Sequence, residues 1–243
     1  MKKQELLERY VEICSNVLSE NDKIRSILKS YGIAERFIFD NFNLGYSNGN
    51  VVELIKGNKE LKEGFSTLGL LENNKDIFKN YITLPIYDED KQIVNIIGYT
   101  LSARKKEKTI ALNNTGIFNS LFLKKAEGVI FTHNPLETLL LIQNDYPNVT
   151  FSYGDDNKYI KFFKENRIRK TIFTFEGKAR LFYDLTKNGV SAKRIEVDFK
   201  SLSNGNSKEY LEKAFKNNEN SAKEFQIGQA NIKVFGVGGA VPS

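Results

Sequence analysis

The chain has 243 residues, 40% of them hydrophobic and 27% charged, so it can bury a substantial core in one large folded unit or two small ones. Its mean hydropathy of -0.41, with no run near the roughly 20 apolar residues that a spanning helix needs, argues against a membrane protein. The formal charge of +6 and a pI near 9.1 fit a polyanionic partner, because Lys and Arg neutralise phosphates at nucleic-acid interfaces; well-solvated Lys-rich chains share that composition.

The opening residues are basic, but Glu5, Glu8, Arg9 and Glu12 interrupt any apolar stretch of a secretory signal, which predicts a cytoplasmic location. Cys14 is the only cysteine, so neither a disulfide framework nor a cysteine zinc site can form within the chain, and its helix-spaced apolar neighbours predict a core position.

Leu6, Leu7, Tyr10, Val11, Cys14, Val17 and Leu18 recur at three- and four-residue intervals, the stripe of an amphipathic helix. Further helices are predicted over Asp22–Tyr31 with Gly32 as the stop, over Ala34–Phe42, and in short form over Val51–Ile55 and Leu61–Phe65. Gly45-Tyr46-Ser47-Asn48-Gly49 reads as a turn. Tyr81–Ile86 and Ile93–Tyr99, separated by Asp88-Glu89-Asp90, predict an antiparallel hairpin, with a further strand over Thr109–Leu112.

After Gly128 the pattern changes. Apolar runs at Val129–Phe131, Val149–Phe151, Thr171–Phe175 and Arg194–Val197 alternate with helix-like stretches at Leu136–Gln143, Lys158–Asn166 and Ala179–Lys187. Such β-α alternation predicts a parallel sheet covered by helices, whose ligands sit beyond the carboxyl ends of the strands. Function is therefore sought after Phe131, Phe151 and Phe175. The tail from Asn204 is polar, with one helix around Tyr210, Leu211, Ala214 and Phe215 and a last apolar run, Ile232–Val237, ending in Gly236-Val237-Gly238-Gly239. No helix follows that glycine run, so it reads as a tail or last strand rather than a phosphate loop.

Three stretches resemble the catalytic core of bacterial DNA primases. The first is Ile27-Leu28-Lys29-Ser30-Tyr31-Gly32-Ile33 with Phe42-Asn43-Leu44-Gly45-Tyr46. The second runs from Leu68-Gly69-Leu70 through Asp76-Ile77-Phe78 and Leu84-Pro85-Ile86-Tyr87-Asp88 to Ile97-Gly98-Tyr99. The third is the βαβ array from Gly128, which resembles the fold shared by topoisomerases and primases, TOPRIM. The resemblance implies an α/β protein in which an N-terminal α+β primase-core subdomain, residues 1–125, precedes a TOPRIM-like parallel-sheet domain, 126–200, with a C-terminal helix and tail, 201–243. The expectation is a core without the family's zinc-binding domain.

A TOPRIM site of this kind uses carboxylates at strand ends to hold Mg²⁺ or Mn²⁺, hard cations that neutralise phosphate charge during nucleotidyl transfer. Where the family carries a glutamate-glycine pair after the first strand, this chain has Thr132-His133-Asn134, with Glu137 next. Its Asp-x-Asp after the third strand becomes Glu176-Gly177-Lys178, and a later acidic position becomes Asn206. The leading expectation is thus a degenerate site. A rearranged site would use Glu176, Asp155 and Asp156 as metal ligands, with Glu176, Glu137 and Asp156 in catalytic roles; Asp155 and Asp156 also suit a helix N-cap and first turn. The lone His133 has an ordinary structural reading beside a functional one.

For nucleic-acid contact the candidates are Lys158, Lys161 and Lys164 on one helix, followed by Arg167, then Arg169 and Lys170; the basic loop Arg104, Lys105, Lys106 and Lys108; and Lys178 with Arg180, which suit a phosphate without metal. Each group also reads as a solvated face. Two family arginines after Asp76-Ile77-Phe78 stand as Lys79 and Tyr81.

The leading expectation is a primase-derived protein of DNA replication, a phage or a mobile element. It would bind single-stranded DNA, a DNA/RNA hybrid, or a replisome partner such as a helicase. One alternative is an active primase with displaced ligands, using Mg²⁺ or Mn²⁺ and a separate zinc-domain protein. Another is a protein-interaction module that mimics or inhibits a host primase or nuclease.

Overall fold

The computed structural model describes residues 1–102, 108–199, 202 and 207–216. Helix α1 (Lys3–Ser19) buries Leu6, Leu7, Tyr10, Val11, Cys14 and Leu18, the stripe that its spacing predicts. Burial pushes the Cys14 thiol up to about 12, so it stays protonated and unreactive. Asn21 caps α2 (Asp22–Ser30) by accepting from Ile24 N, and α3 (Arg36–Phe42) ends on Asn43 in a left-handed conformation.

Next come β1 (Gly45–Ser47), α4 (Val51–Leu54), α5 (Lys59–Thr67), β2 (Leu71–Glu72), β3 (Lys75–Asp76), β4 (Tyr81–Tyr87), β5 (Ile93–Tyr99) and β6 (Thr109–Ala111). Strands β1-β4-β5-β6 form an antiparallel sheet in that order. Gly45–Ser47 corrects the turn expected there: it is an edge strand, paired Gly45↔Thr83 and Ser47↔Tyr81. The glycine serves close approach rather than a turn, since a Cβ at Gly45 would lie 2.7 Å from the Cβ of Cys14 on α1. The β2–β3 hairpin, not anticipated, turns on Asn73 and Asn74, both at positive φ, the combination a two-residue type I′ turn requires.

The rest of the chain runs α6 (Ser120–Leu123), β7 (Gly128–Thr132), α7 (Pro135–Gln143), β8 (Val149–Phe151), α8 (Asn157–Glu165), β9 (Lys170–Phe173), α9 (Ala179–Lys187), β10 (Ser191–Arg194) and α10 (Ser207–Lys216). Strands β10-β9-β7-β8 make the expected parallel sheet. Two strand bounds are corrected. β9 stops at Phe173 rather than Phe175, and the last strand is Ser191–Arg194 rather than Arg194–Val197. As an edge strand β10 keeps polar residues, while Ile195 and Val197 beyond it are buried in the core.

One hydrophobic cluster runs through both halves, joining Leu28, Ile38, Leu84 and Ile97 to Ile130, Leu139, Phe151, Ile172 and Phe215. This shared core fixes the antiparallel sheet against the parallel one. Among the described residues no helix is long and apolar enough to cross a membrane. The Ile232–Val237 run, the terminal glycines, Asn206 and the basic residues Arg104, Lys105 and Lys106 lie outside the described residues.

Candidate nucleic-acid interface at the strand ends

The loop after β7 is built by its own side chains. Asn134 caps α7 by accepting from Leu136 N and Glu137 N, and Pro135 takes the first helical position, where a missing N–H costs nothing. Glu137 closes the turn: one oxygen accepts from His133 N at 3.0 Å, the other from Asn134 Nδ2 at 2.7 Å. Burial pushes the Glu137 carboxyl up to about 7, against the opposing pull of those two hydrogen bonds. Burial also raises the Tyr99 hydroxyl on β5, and the Glu137 charge adds to the rise.

Beyond β8, Asp156 does not cap α8; it accepts from Ser152 Oγ at 2.9 Å and from Lys178 Nζ at 3.2 Å. Asp155 instead accepts from Asn157 N at 3.0 Å. Asp156 thus stands at the N-cap position without a side-chain cap bond, its carboxylate turned to Ser152 and Lys178. Asp155, one residue earlier, meets only the first amide of the helix backbone, so the side-chain cap expected of these acids does not form. Tyr153 Oη donates to the carbonyls of Thr115 and Gly116, and Lys158 Nζ donates to that of Asn114 while lying 3.3 Å above the Tyr153 ring. Burial lowers the Lys158 ammonium to about 8, with the charges of Asp155 and Asp156 opposing.

The loop after β9 carries Phe175, the exposed Glu176, Gly177 at φ +133° and Lys178 at φ +46°. His133, also exposed, lies 5.3 Å from Phe175 between ring centroids, the rings inclined at 62°. Arg194 lies over the Phe182 ring at 4.2 Å and donates to Gly177 O. Sequence reasoning missed both the His133–Phe175 pair and the Tyr153 anchor. Their signal was the aromatic residue just past each strand end.

Among the described residues, the candidate basic side chains do not form one continuous surface. Lys178 and Arg180 stand at the carboxyl ends of the strands, Arg180 paired with Asp184 at 3.6 Å. Lys158 turns inward to Asn114, whereas Lys161, paired with Glu165 at 3.8 Å, and Lys164 are exposed along α8. Arg167 follows α8 and precedes β9, at the opposite end of the sheet from Lys178. Lys108 donates to the Ser102 carbonyl.

A divalent cation of the kind the resemblance implies needs several converging hard oxygens. Among the described residues no three His, Cys, Asp or Glu side chains converge on one point. Asp156 already faces an ammonium, and both Glu137 oxygens are taken by its own loop. This donor set does not fit Mg²⁺ or Mn²⁺.

Residues 14–125 match the family model of the DNA primase catalytic core, N-terminal domain. Three solved structures show the same fold. The zinc-binding and RNA polymerase domains of the Aquifex aeolicus primase align over 88% of this chain at 19% identity and a TM-score of 0.71, and this chain spans 61% of that one. The DnaG catalytic core aligns over 89% at 15% identity with a TM-score of 0.68, covering 80% of that chain. A DnaG primase catalytic domain bound to ssDNA aligns over 88% at 15% identity, again at 0.68, covering 78% of it. No curated protein matches the sequence. The chain is thus similar to DnaG-type primase catalytic cores: residues 14–125 match the model of their N-terminal domain, and the described chain has their fold.

Proposed function

We propose that this chain is a primase-type core of DNA replication or of a mobile element that binds single-stranded nucleic acid without polymerising it. The observation that carries this reading is the Lys178–Asp156 pair. An ammonium stands where a two-metal site would need a second acid, and it neutralises the acid beside it. The same cation and the neighbouring Arg180 suit a phosphodiester, whose charge a Lys or Arg offsets directly. The related primase domain solved with ssDNA supports the choice of ligand.

The test is calorimetric titration of Mn²⁺ into the protein, with and without single-stranded DNA, beside Asp156→Asn and Glu176→Gln. The expected result is no stoichiometric metal uptake and DNA binding whose log K falls linearly with log salt. Metal binding abolished by those substitutions overturns the reading in favour of an active nucleotidyltransferase. A lack of salt-sensitive nucleic-acid affinity overturns it in favour of a protein-interaction module.

A further inference from the structure

Strands β7 and β9 are neighbours in the parallel sheet, with Phe131 opposite Phe173. Because side chains alternate along a strand, positions two residues on share a face, and the chain places His133 and Phe175 at those positions. The contacts follow that geometry. Phe131 and Phe173 stack at 4.8 Å and 16° in the buried interior, Phe175 continues from Phe173 at 5.9 Å, and His133 meets Phe175 at 5.3 Å. An aromatic column thus runs from the core to the surface at the carboxyl end of the sheet. Its outer pair is the exposed His133 and the half-buried Phe175. The Gly177 backbone backs the column: a Cβ there would lie 3.4 Å from two Phe175 ring carbons. Lys178 follows directly.

We propose that His133 and Phe175 form a base-stacking site, in which one nucleobase of a single strand stacks in the angle between the two rings. The inference rests on the nucleic-acid reading above and names the part of the ligand this face recognises. Every base presents a π-face, so such a site is tolerant of sequence. The imidazole adds a hydrogen-bonding edge. Lys178 then meets the adjoining phosphate, which divides the work between an apolar contact and a charged one.

His133 is the only histidine, so its imidazole protons give the only histidine side-chain signals in a proton NMR spectrum of the full chain. The protein is titrated with deoxyadenosine monophosphate and, separately, with deoxyribose 5-phosphate. The expected result is a saturable upfield shift of the His133 signals with the nucleotide alone, reduced in Phe175→Leu, which keeps an apolar side chain against Gly177. In parallel, His133→Ala and Phe175→Leu each weaken binding of a single-stranded oligonucleotide about tenfold while leaving the salt slope unchanged. An equal response to both phosphates, or none to the nucleotide, overturns the base site. Salt-dependent DNA binding with a silent His133 and neutral variants also overturns it while the proposed function stands. A nucleotide shift without any DNA binding supports the site and overturns the function.

Discussion

The Lys178 ammonium lies 3.2 Å from the Asp156 carboxylate and so ties the loop after β9 to the loop after β8. In the sheet order β10-β9-β7-β8 those strands flank β7, so the ion pair bridges the carboxyl end of the central strand. Lys178 holds this position at φ +46°, a left-handed conformation that a non-glycine residue adopts only when its surroundings fix it.

Replacing this cation with an acid reverses the local electrostatics. Lys178→Asp sets a second carboxylate near Asp156, and saturable Mn²⁺ binding, followed by the loss of the free-ion signal in electron paramagnetic resonance, is expected for that variant and not for the parent. Lys178→Met is expected to cost about 1 kcal/mol in urea denaturation, the scale of a partly exposed pair.

Glu137 makes stability depend on pH. Its folded value of about 7 lies above the ordinary 4.5, so the folded state holds the proton more tightly than the unfolded chain. Stability from this group is fully present below pH 4.5 and is lost as pH rises through about 7. Allowing for partial exposure, the loss is on the order of 2 kcal/mol. Urea denaturation across this range is expected to show that decline in the parent and a flatter profile in Glu137→Gln.

Asp76, within the Asp76-Ile77-Phe78 signature, acts as a buried structural acceptor. It accepts from Tyr10 Oη at 2.7 Å, from Phe78 N at 2.8 Å and from Ser47 Oγ, joining α1, β1 and β3. Asp76→Ala leaves those donors without their acceptor in the interior and is expected to cost about 3 kcal/mol, read as a lowered urea midpoint with unchanged slope.

Gly45→Ala is expected to destabilise by about 2–3 kcal/mol, since the added Cβ meets Thr83 Oγ1 at 2.6 Å and the Cys14 carbonyl carbon at 2.8 Å. Gly57→Ala is the control, because nothing lies within 4 Å of the added methyl and no loss of stability is expected. Thermal unfolding of the two variants side by side checks both.

Most of the helices, the Tyr81–Tyr99 hairpin and the βαβ order were legible from local pattern: a 3.6-residue period in α1, two β-rich apolar runs flanking an acidic turn in the hairpin, and apolar runs separated by helices after Gly128. The one-turn α6 carries no such pattern and was not anticipated. β1 and β10 were not legible either. Gly45–Ser47 has the composition of a turn and becomes a strand only through its pairing with β4. At β10 the apolar residues that suggested a strand belong to the segment after it, because an edge strand has little apolar face to bury.

For the candidate site, the sequence by itself determined which residues stand after each strand: His133, Asp155, Asp156, Glu176 and Lys178. Chain order fixes this, since a residue just beyond a strand lies at its carboxyl end. Only the tertiary structure decided how they pair. Lys178 and Asp156 are 22 positions apart and meet because β9 and β8 both flank β7. His133 and Phe175 meet because β7 and β9 are paired in register, and Lys158 turns inward because Tyr153 and Asn114 receive it. Pair geometry depends on which strands are neighbours, and local sequence patterns do not encode that order.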